Sequence, residues 1–136
     1  NGIIFKKVSE KKALKFRNTY KDRGVLQNKY IFFTNTGFSS SGTLAYDIVI
    51  VKANNQFQAL KIMNTHGLKQ GISHTRLFDF IVALHENNPI NIFLLEENRI
   101  GFDLEDAPDQ STKDQLAAIS PSYELRDKTV ELYWPK

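Results

Sequence analysis

The sequence predicts the α+β class: a mixed sheet or partly closed barrel of about six to seven strands, with two main helices and one short helix. Two observations predict it. Apolar segments of strand length recur along the whole chain, and a few segments instead carry apolar residues at helical spacing. The resulting order is strand, helix, three strands, helix, two strands, helix and strand, which is typical of a mixed α+β domain.

Composition limits the class of protein. The chain has 136 residues, 41% of them apolar and 24% charged, as expected for a single globular domain over 1–136. Its longest apolar runs, such as 48–51, are far shorter than the ~20 residues of a membrane-spanning helix, so we expect no membrane partner. The absence of Cys excludes disulfides, thiolate zinc sites and cysteine nucleophiles. The chain starts at Asn1 without a signal-peptide pattern, and we expect an intracellular, cytoplasmic fragment of a larger protein.

The start of the chain predicts a strand followed by a basic helix. The strand covers residues 3–8. Ser9 can cap a helix over about 10–20, and Gly24 lies just past the end of that helix. Apolar residues recur at helical spacing in this segment, and lysine and arginine cover much of its remaining surface. We therefore expect an amphipathic, basic helix.

Three more strands are expected before the middle of the chain. The stretch 44–52 is apolar on both faces, as a central strand is. Its neighbour follows across Asn54 and Asn55, a turn-forming pair, and the Gly- and Ser-rich stretch 35–42 predicts a loop. The three predicted strands are 30–34, 44–52 and 57–63.

The second half of the chain contains the clearest helix, over about 74–87. Ser73 can cap this helix, apolar residues recur in it every three or four positions, and Asn88 and Pro89 end it. The remaining predictions are strands over 90–95 and 99–104, a short helix over 112–119 and at least one strand over 123–134.

The net charge of +3 conceals an uneven distribution. Residues 1–30 carry nine basic and two acidic groups, a net +7, whereas residues 31–95 carry +1 and residues 96–136 carry −5. Because a clustered positive surface concentrates phosphates, this asymmetry predicts a polyanion partner. The alternative is that the charged ends face each other or are simply solvated. The candidate phosphate contacts are Lys6, Lys7, Lys11, Lys12, Lys15, Arg17, Arg23 and Lys29.

This order of elements, with a basic first strand, a helix, a long hairpin, a second helix and a further hairpin, resembles that of pseudobarrel DNA-recognition domains. Such domains occur in some restriction enzymes and in plant transcription factors. The resemblance implies that the chain binds duplex DNA through two polar arms and does no chemistry. Under it the basic residues contact phosphates, while Asn35, Ser39 and Ser40 of the predicted loop reach the bases.

Asp47 interrupts an otherwise apolar strand, and a carboxylate buried there needs a cation, a metal or backbone donors. With the segment that follows, it resembles the core hairpin of restriction-endonuclease-like nucleases, in which one strand carries an Asp and the next carries Asp/Glu-x-Lys. The resemblance implies Asp47 and Lys61 as catalytic residues and Mg²⁺ as cofactor, although Ala59 stands where the second acid is expected. A three-residue loop would put Asp47 and Lys61 on one face and a two-residue turn would separate them; a plain ion pair is the structural alternative.

The histidines suggest no metal site, because their spacing matches no zinc motif. His66 and His74 could act as base and acid of a metal-free ribonuclease, with structural histidines as the alternative. The sequence therefore predicts a nucleic-acid-binding module, for DNA recognition within a larger restriction- or defence-type protein, without a cofactor. A metal-dependent nuclease or nuclease-like toxin is one alternative. The other is a protein-interaction domain that binds an acidic partner or other domains of the same chain.

Overall fold

The computed structural model describes residues 2–9, 29–38 and 44–135. These residues form seven strands, three α-helices and one 3-10 turn, which confirms the α+β class. The partly closed barrel is not confirmed. The chain divides into two compact units, residues 1–59 and residues 60–136, here called the N-terminal and the C-terminal unit. The single domain stays a prediction.

The N-terminal unit contains a three-stranded antiparallel arrangement of β1 (Gly2–Ser9), β2 (Lys29–Phe38) and β3 (Leu44–Lys52). β3 lies between the other two and pairs with both. Its apolar residues face both sides, and Ile48 and Val49 are both buried, as expected for a central strand. The predicted helix over 10–20 lies outside the described residues.

The predicted loop over 35–42 is wrong at its start, because β2 continues through Phe38. Gly37 pairs with Ala45 and Phe38 pairs with Leu44, so the strand extends well into the polar stretch. A register shift follows Thr34, and this bulge accommodates the extra polar residues without ending the ladder. The Gly- and Ser-rich composition that predicted a loop therefore coincides, in its first part, with a bulge inside strand β2.

The predicted strand over 57–63 is also wrong, because these residues belong to helix α1 (Gln56–Met63). Asn55 Oδ1 accepts a hydrogen bond from the Gln58 backbone N–H at 2.9 Å, and Gln58 Oε1 accepts one from the Asn54 N–H at 2.6 Å. Asn55 therefore caps the helix, and Gln58 binds the N–H of the residue before the cap, so both bonds satisfy backbone donors at the helix start. Asn54 and Asn55, which the sequence predicts to form a hairpin turn, therefore stand at the start of a helix.

The C-terminal unit combines two helices and a 3-10 turn with a four-stranded antiparallel arrangement. Along it the strands run in the order β4, β5, β7, β6. Its elements are the 3-10 turn Leu68–Gln70, α2 (His74–Asn87), β4 (Ile90–Glu96), β5 (Arg99–Leu104), α3 (Gln110–Ile119), β6 (Glu124–Arg126) and β7 (Thr129–Tyr133). The strand predicted over 123–134 is thus a short hairpin.

Helix α2 confirms the prediction over 74–87. The Ser73 side chain accepts a hydrogen bond from the Arg76 backbone N–H at 3.2 Å, which caps the first turn. Leu77, Ile81 and Leu84 recur at helical spacing and are buried. The buried apolar stripe therefore determines which face of the helix packs on the core, and the Ser73 hydroxyl determines where the helix begins.

Trp134, near the end of the C-terminal unit, belongs to the core of that unit. Its side chain is only 1% exposed. Its indole Nε1–H donates to the Ile119 carbonyl oxygen at 2.9 Å. Asn98 binds both backbone polar groups of Trp134. The Asn98 carbonyl accepts a hydrogen bond from the Trp134 N–H at 3.0 Å, and the Asn98 side-chain amide donates one to the Trp134 carbonyl at 2.6 Å. Gly67 lies against the ring, where a side chain would find no space.

Helix α3 begins at Gln110, two residues before the predicted start, because Asp109 caps it. Asp109 Oδ1 accepts a hydrogen bond from the Thr112 backbone N–H at 2.8 Å. This bond, and after it the one with the Thr112 side chain, holds the pKa of the Asp109 carboxyl below its ordinary value of 3.8. A carboxylate at this position also interacts favourably with the positive, N-terminal end of the helix dipole.

We expect Asp109→Ala to lower the melting temperature at neutral pH. Because the pKa of Asp109 is lower in the folded than in the unfolded chain, its stabilising effect is present above 3.8 and is lost as the pH falls through the folded pKa. The difference in melting temperature between the parent chain and Asp109→Ala should therefore shrink in acid. Asp109→Asn keeps the cap acceptor without the charge and serves as the matched control; an equal Ala penalty at neutral and acid pH would contradict the charged cap.

Candidate nucleic-acid interface

Backbone register brings several predicted site residues to one level of the N-terminal unit. β1 pairs Phe5 with Ile48 and Val8 with Tyr46, so the two residues Lys6 and Lys7 stand opposite Asp47 alone. On the other side of β3, Thr34 pairs with Asp47 directly, and the next pair after it is Gly37 with Ala45. Both neighbours of β3 thus carry a bulge, at adjacent positions 47 and 46 of β3.

Asn35 is one of the two residues in the β2 bulge, which brings it beside the level of Asp47. Bulges re-aim side chains and are frequent next to functional sites, because they change the local twist and leave residues out of the ladder. The backbone register of the three strands therefore sets Lys6, Lys7 and Asn35 opposite or beside Asp47 of β3. Sequence patterns alone gave no reason to expect this meeting of separate segments.

Asp47 is 4% exposed and its register partner Thr34 is 6% exposed. Paired residues of an antiparallel ladder lie on the same face, so the hydroxyl and the carboxylate belong to one side of the sheet. Burial of a carboxylate is costly unless hydrogen bonds or opposite charges compensate it. The burial expected for Asp47 from the apolar sequence around it is confirmed.

A second basic position lies at the end of the same ladder. Lys29, the first residue of β2, pairs directly with Lys52, the last residue of β3. Like charges at opposed positions of an antiparallel pair repel and destabilise the ladder. This pair is five residues along β3 from Asp47, which corresponds to about 17 Å at ~3.3 Å per residue.

The predicted hairpin of 44–52 and 57–63 does not form, because Lys61 lies on helix α1 and not on a strand that follows β3. Its ammonium group stands 4.8 Å from the centre of the Phe78 ring, a cation–π distance. The cross-strand arrangement that suggested Asp47 and Lys61 as catalytic partners is therefore wrong. Within residues 2–9, 29–38 and 44–135, no three His, Asp or Glu side chains form a group that could hold a metal ion.

The two histidines proposed as acid and base are engaged in local structure. His66 Nδ1 accepts from the Leu68 backbone N–H at 3.3 Å, and its Nε2 lies 3.7 Å from a Glu97 carboxylate oxygen. His74 Nδ1 is 2.8 Å from the Thr65 carbonyl oxygen, which only accepts, so this nitrogen carries the proton. Its Nε2 is buried and has no hydrogen-bond partner among the described residues. This arrangement favours the structural alternative.

Several predicted contacts remain as sequence predictions. The candidate residues outside the described part of the chain are Lys11, Lys12, Lys15, Arg17, Arg23, Ser39 and Ser40. For the described part, no helix is both long and apolar enough to cross a bilayer.

The two units differ in the sign of their charge. The N-terminal unit has ten basic and three acidic side chains, a net +7, whereas the C-terminal unit has eight basic and twelve acidic ones, a net −4. The charge asymmetry of the sequence thus follows the structural division. Compared with models of protein families, with curated proteins and with solved structures, the chain matches none of them, so the case for its function depends on its own residues.

Proposed function

We propose that the N-terminal unit binds nucleic acid, with duplex DNA as the first candidate, and acts as a recognition module of a larger intracellular protein of restriction or defence type. The observation that carries the proposal is the charge of this unit: ten of the 18 basic residues and only three of the 15 acidic residues fall within residues 1–59. One of those three acids, Asp47, is buried. Besides this buried residue, the ten basic residues of the unit are set against only two acidic ones, Glu10 and Asp22.

The ladder of β2 and β3 adds a local argument. The backbone register puts Lys29 opposite Lys52, and directly opposed like charges are unfavourable in a ladder, so a bound anion such as a phosphate would relieve this pairing.

The test is duplex DNA binding at several salt concentrations, measured by fluorescence anisotropy. Each phosphate contact contributes a slope of about −0.9 to the plot of log affinity against log salt. We expect Lys29→Glu/Lys52→Glu to flatten this slope by about 2 and to weaken binding by more than about tenfold. Lys69→Glu/Lys128→Glu makes the same charge change at exposed positions of the C-terminal unit and is the matched control.

Two results would overturn the proposal: no salt-dependent binding to duplex DNA, single-stranded DNA or RNA, or an equal loss in both double variants. Cleavage of a nucleic acid in the presence of Mg²⁺, abolished by Asp47→Ala, would instead support the nuclease alternative. Circular dichroism of each variant confirms that a loss of binding does not come from unfolding.

A further inference from the structure

The outer face of the sheet in the C-terminal unit contains a polar pocket of about 280 Å³. It is lined by Arg99 of β5, Glu124 of β6, Glu131 and Tyr133 of β7, and Ser122 just before β6. The core face of these strands holds apolar residues such as Ile100, Val130 and Leu132, which are fully buried. Alternation along the strands thus directs a set of charged residues to one place on the opposite face.

The pocket contains more negative than positive charge. Glu124 and Glu131 are directly opposed in the ladder of β6 and β7, an arrangement that is unfavourable for two carboxylates alone. Arg99 Nη2 donates to Glu131 Oε2 at 3.0 Å and neutralises one of them. Glu124 is exposed and makes no hydrogen bond or ion pair with any residue in the described ranges; it interacts with Arg99 only through its charge.

The pKa of Arg99 is affected by other carboxylates besides that of its hydrogen-bond partner Glu131. Burial lowers its pKa, but the hydrogen bond with Glu131 and the charges of Glu131, Glu96 and Glu124 outweigh that effect, and the pKa of the guanidinium is raised. Three carboxylates therefore act on one cation. An additional positive group in the pocket would be attracted to Glu124, whereas a phosphate or carboxylate ligand would be repelled by the excess of negative charge.

Tyr133 provides an aromatic wall. It is directly opposed to Arg99 in the ladder of β5 and β7, and it is 41% exposed although it is a large aromatic residue. The face of such a ring attracts cations that come within about 6 Å of its centre. The pocket volume lies just below the ~300 Å³ at which pockets for drug-sized ligands begin, so a small ligand or a single side chain fits it.

From these features we propose that the pocket formed by Arg99, Glu124, Glu131 and Tyr133 binds a small organic cation through a guanidinium or primary ammonium group carried on a short aliphatic chain. The cationic group pairs with Glu124 and with the free oxygen of Glu131, and the aliphatic chain lies along the Tyr133 ring. Ser122 supplies a hydroxyl at the rim. This site is independent of the nucleic-acid interface proposed for the N-terminal unit.

The test is a titration of the whole chain with agmatine, putrescine and N-acetyl-arginine methylamide at low ionic strength, followed by isothermal calorimetry and amide NMR shifts. Butane-1,4-diol is the uncharged control ligand. We expect saturable one-to-one binding of at least one cation, with NMR shifts at the pocket residues and none with the diol. Binding of the arginine derivative as well as agmatine would identify a protein side chain as a suitable ligand; binding of agmatine or putrescine alone would identify a free cation.

Glu124→Gln should weaken this binding about tenfold, because the variant removes the carboxylate that is not hydrogen-bonded to Arg99. Tyr133→Leu should weaken it about threefold, because it removes the flat ring along which the aliphatic chain lies. Glu105→Gln makes the same charge change at an exposed position outside the pocket and should leave affinity unchanged. The proposal is overturned if no cation saturates by about 10 mM, or if Glu124→Gln and Glu105→Gln weaken binding equally.

Discussion

Replacement of Trp134 by Ala is expected to lower the free energy of unfolding of the C-terminal unit by about 3 to 5 kcal/mol. The indole is 1% exposed and is the largest of the fully buried side chains in the described part of the chain. Its removal leaves a cavity that the sheet and helix around it cannot fully close. It also leaves the Ile119 carbonyl without the hydrogen bond that the indole donates.

Urea unfolding followed by far-ultraviolet circular dichroism measures this loss, because that signal does not depend on the indole. Tyr133→Ala is the matched control: the neighbouring residue is also aromatic but is 41% exposed, so its truncation should cost much less. Equal losses in the two variants would show that burial of Trp134 is not the source of its effect.

We expect Gly67→Ala to destabilise the chain more than Gly71→Ala, with losses of about 3 and about 1 kcal/mol. A Cβ atom at position 67 would lie 2.6 Å from Cδ1 and 2.8 Å from Cδ2 of Trp134, and the hydrogen bond to Ile119 keeps the ring from moving away. At position 71 the backbone has φ of 80°, which disfavours Ala, but the Cβ atom would meet nothing within 4 Å. The larger cost therefore falls on the glycine with the ordinary backbone angle.

A double-mutant cycle identifies the cause of the loss at position 67. Gly67→Ala should cost less than half as much when Trp134 is already Leu, since a smaller side chain leaves room for the added methyl group. The cost of Gly71→Ala should be the same in both backgrounds, because no side chain takes part in it. A Gly67→Ala cost that does not change with the residue at 134 would contradict the steric explanation.

Comparison of two helices shows what local sequence can predict. Helix α2 was predicted because fourteen residues carry one apolar stripe and a serine stands at its start. Helix α1 has only eight residues, and over that length an apolar run fits a strand as well as a helix. The signal that distinguishes them is present: Asn55 is a preferred N-cap residue, and Gln58 stands three residues after it at the capping-box spacing.

The positive charge of the candidate interface can be predicted from the sequence, but the register that brings its residues to one part of the sheet cannot. The basic character of residues 1–30 is a property of composition, and it persists when the chain is divided into its structural units. The register that sets Lys6 and Lys7 opposite Asp47 depends on the bulge in β1, and a bulge shifts register by an amount that composition does not determine. The same holds for the pair of Lys29 and Lys52, since their opposition is fixed by strand pairing alone.

Trp134 is the single tryptophan of the chain, and its burial makes it an intrinsic optical probe of one unit. Its emission should be blue-shifted in the folded protein and should move to the red only when the C-terminal unit opens around the indole. The N-terminal unit has no tryptophan, so its unfolding changes the circular dichroism of its strands without a corresponding change in that emission. Coincident denaturation curves from the two signals would show that both units unfold in one cooperative step, and separated curves would show that each melts on its own.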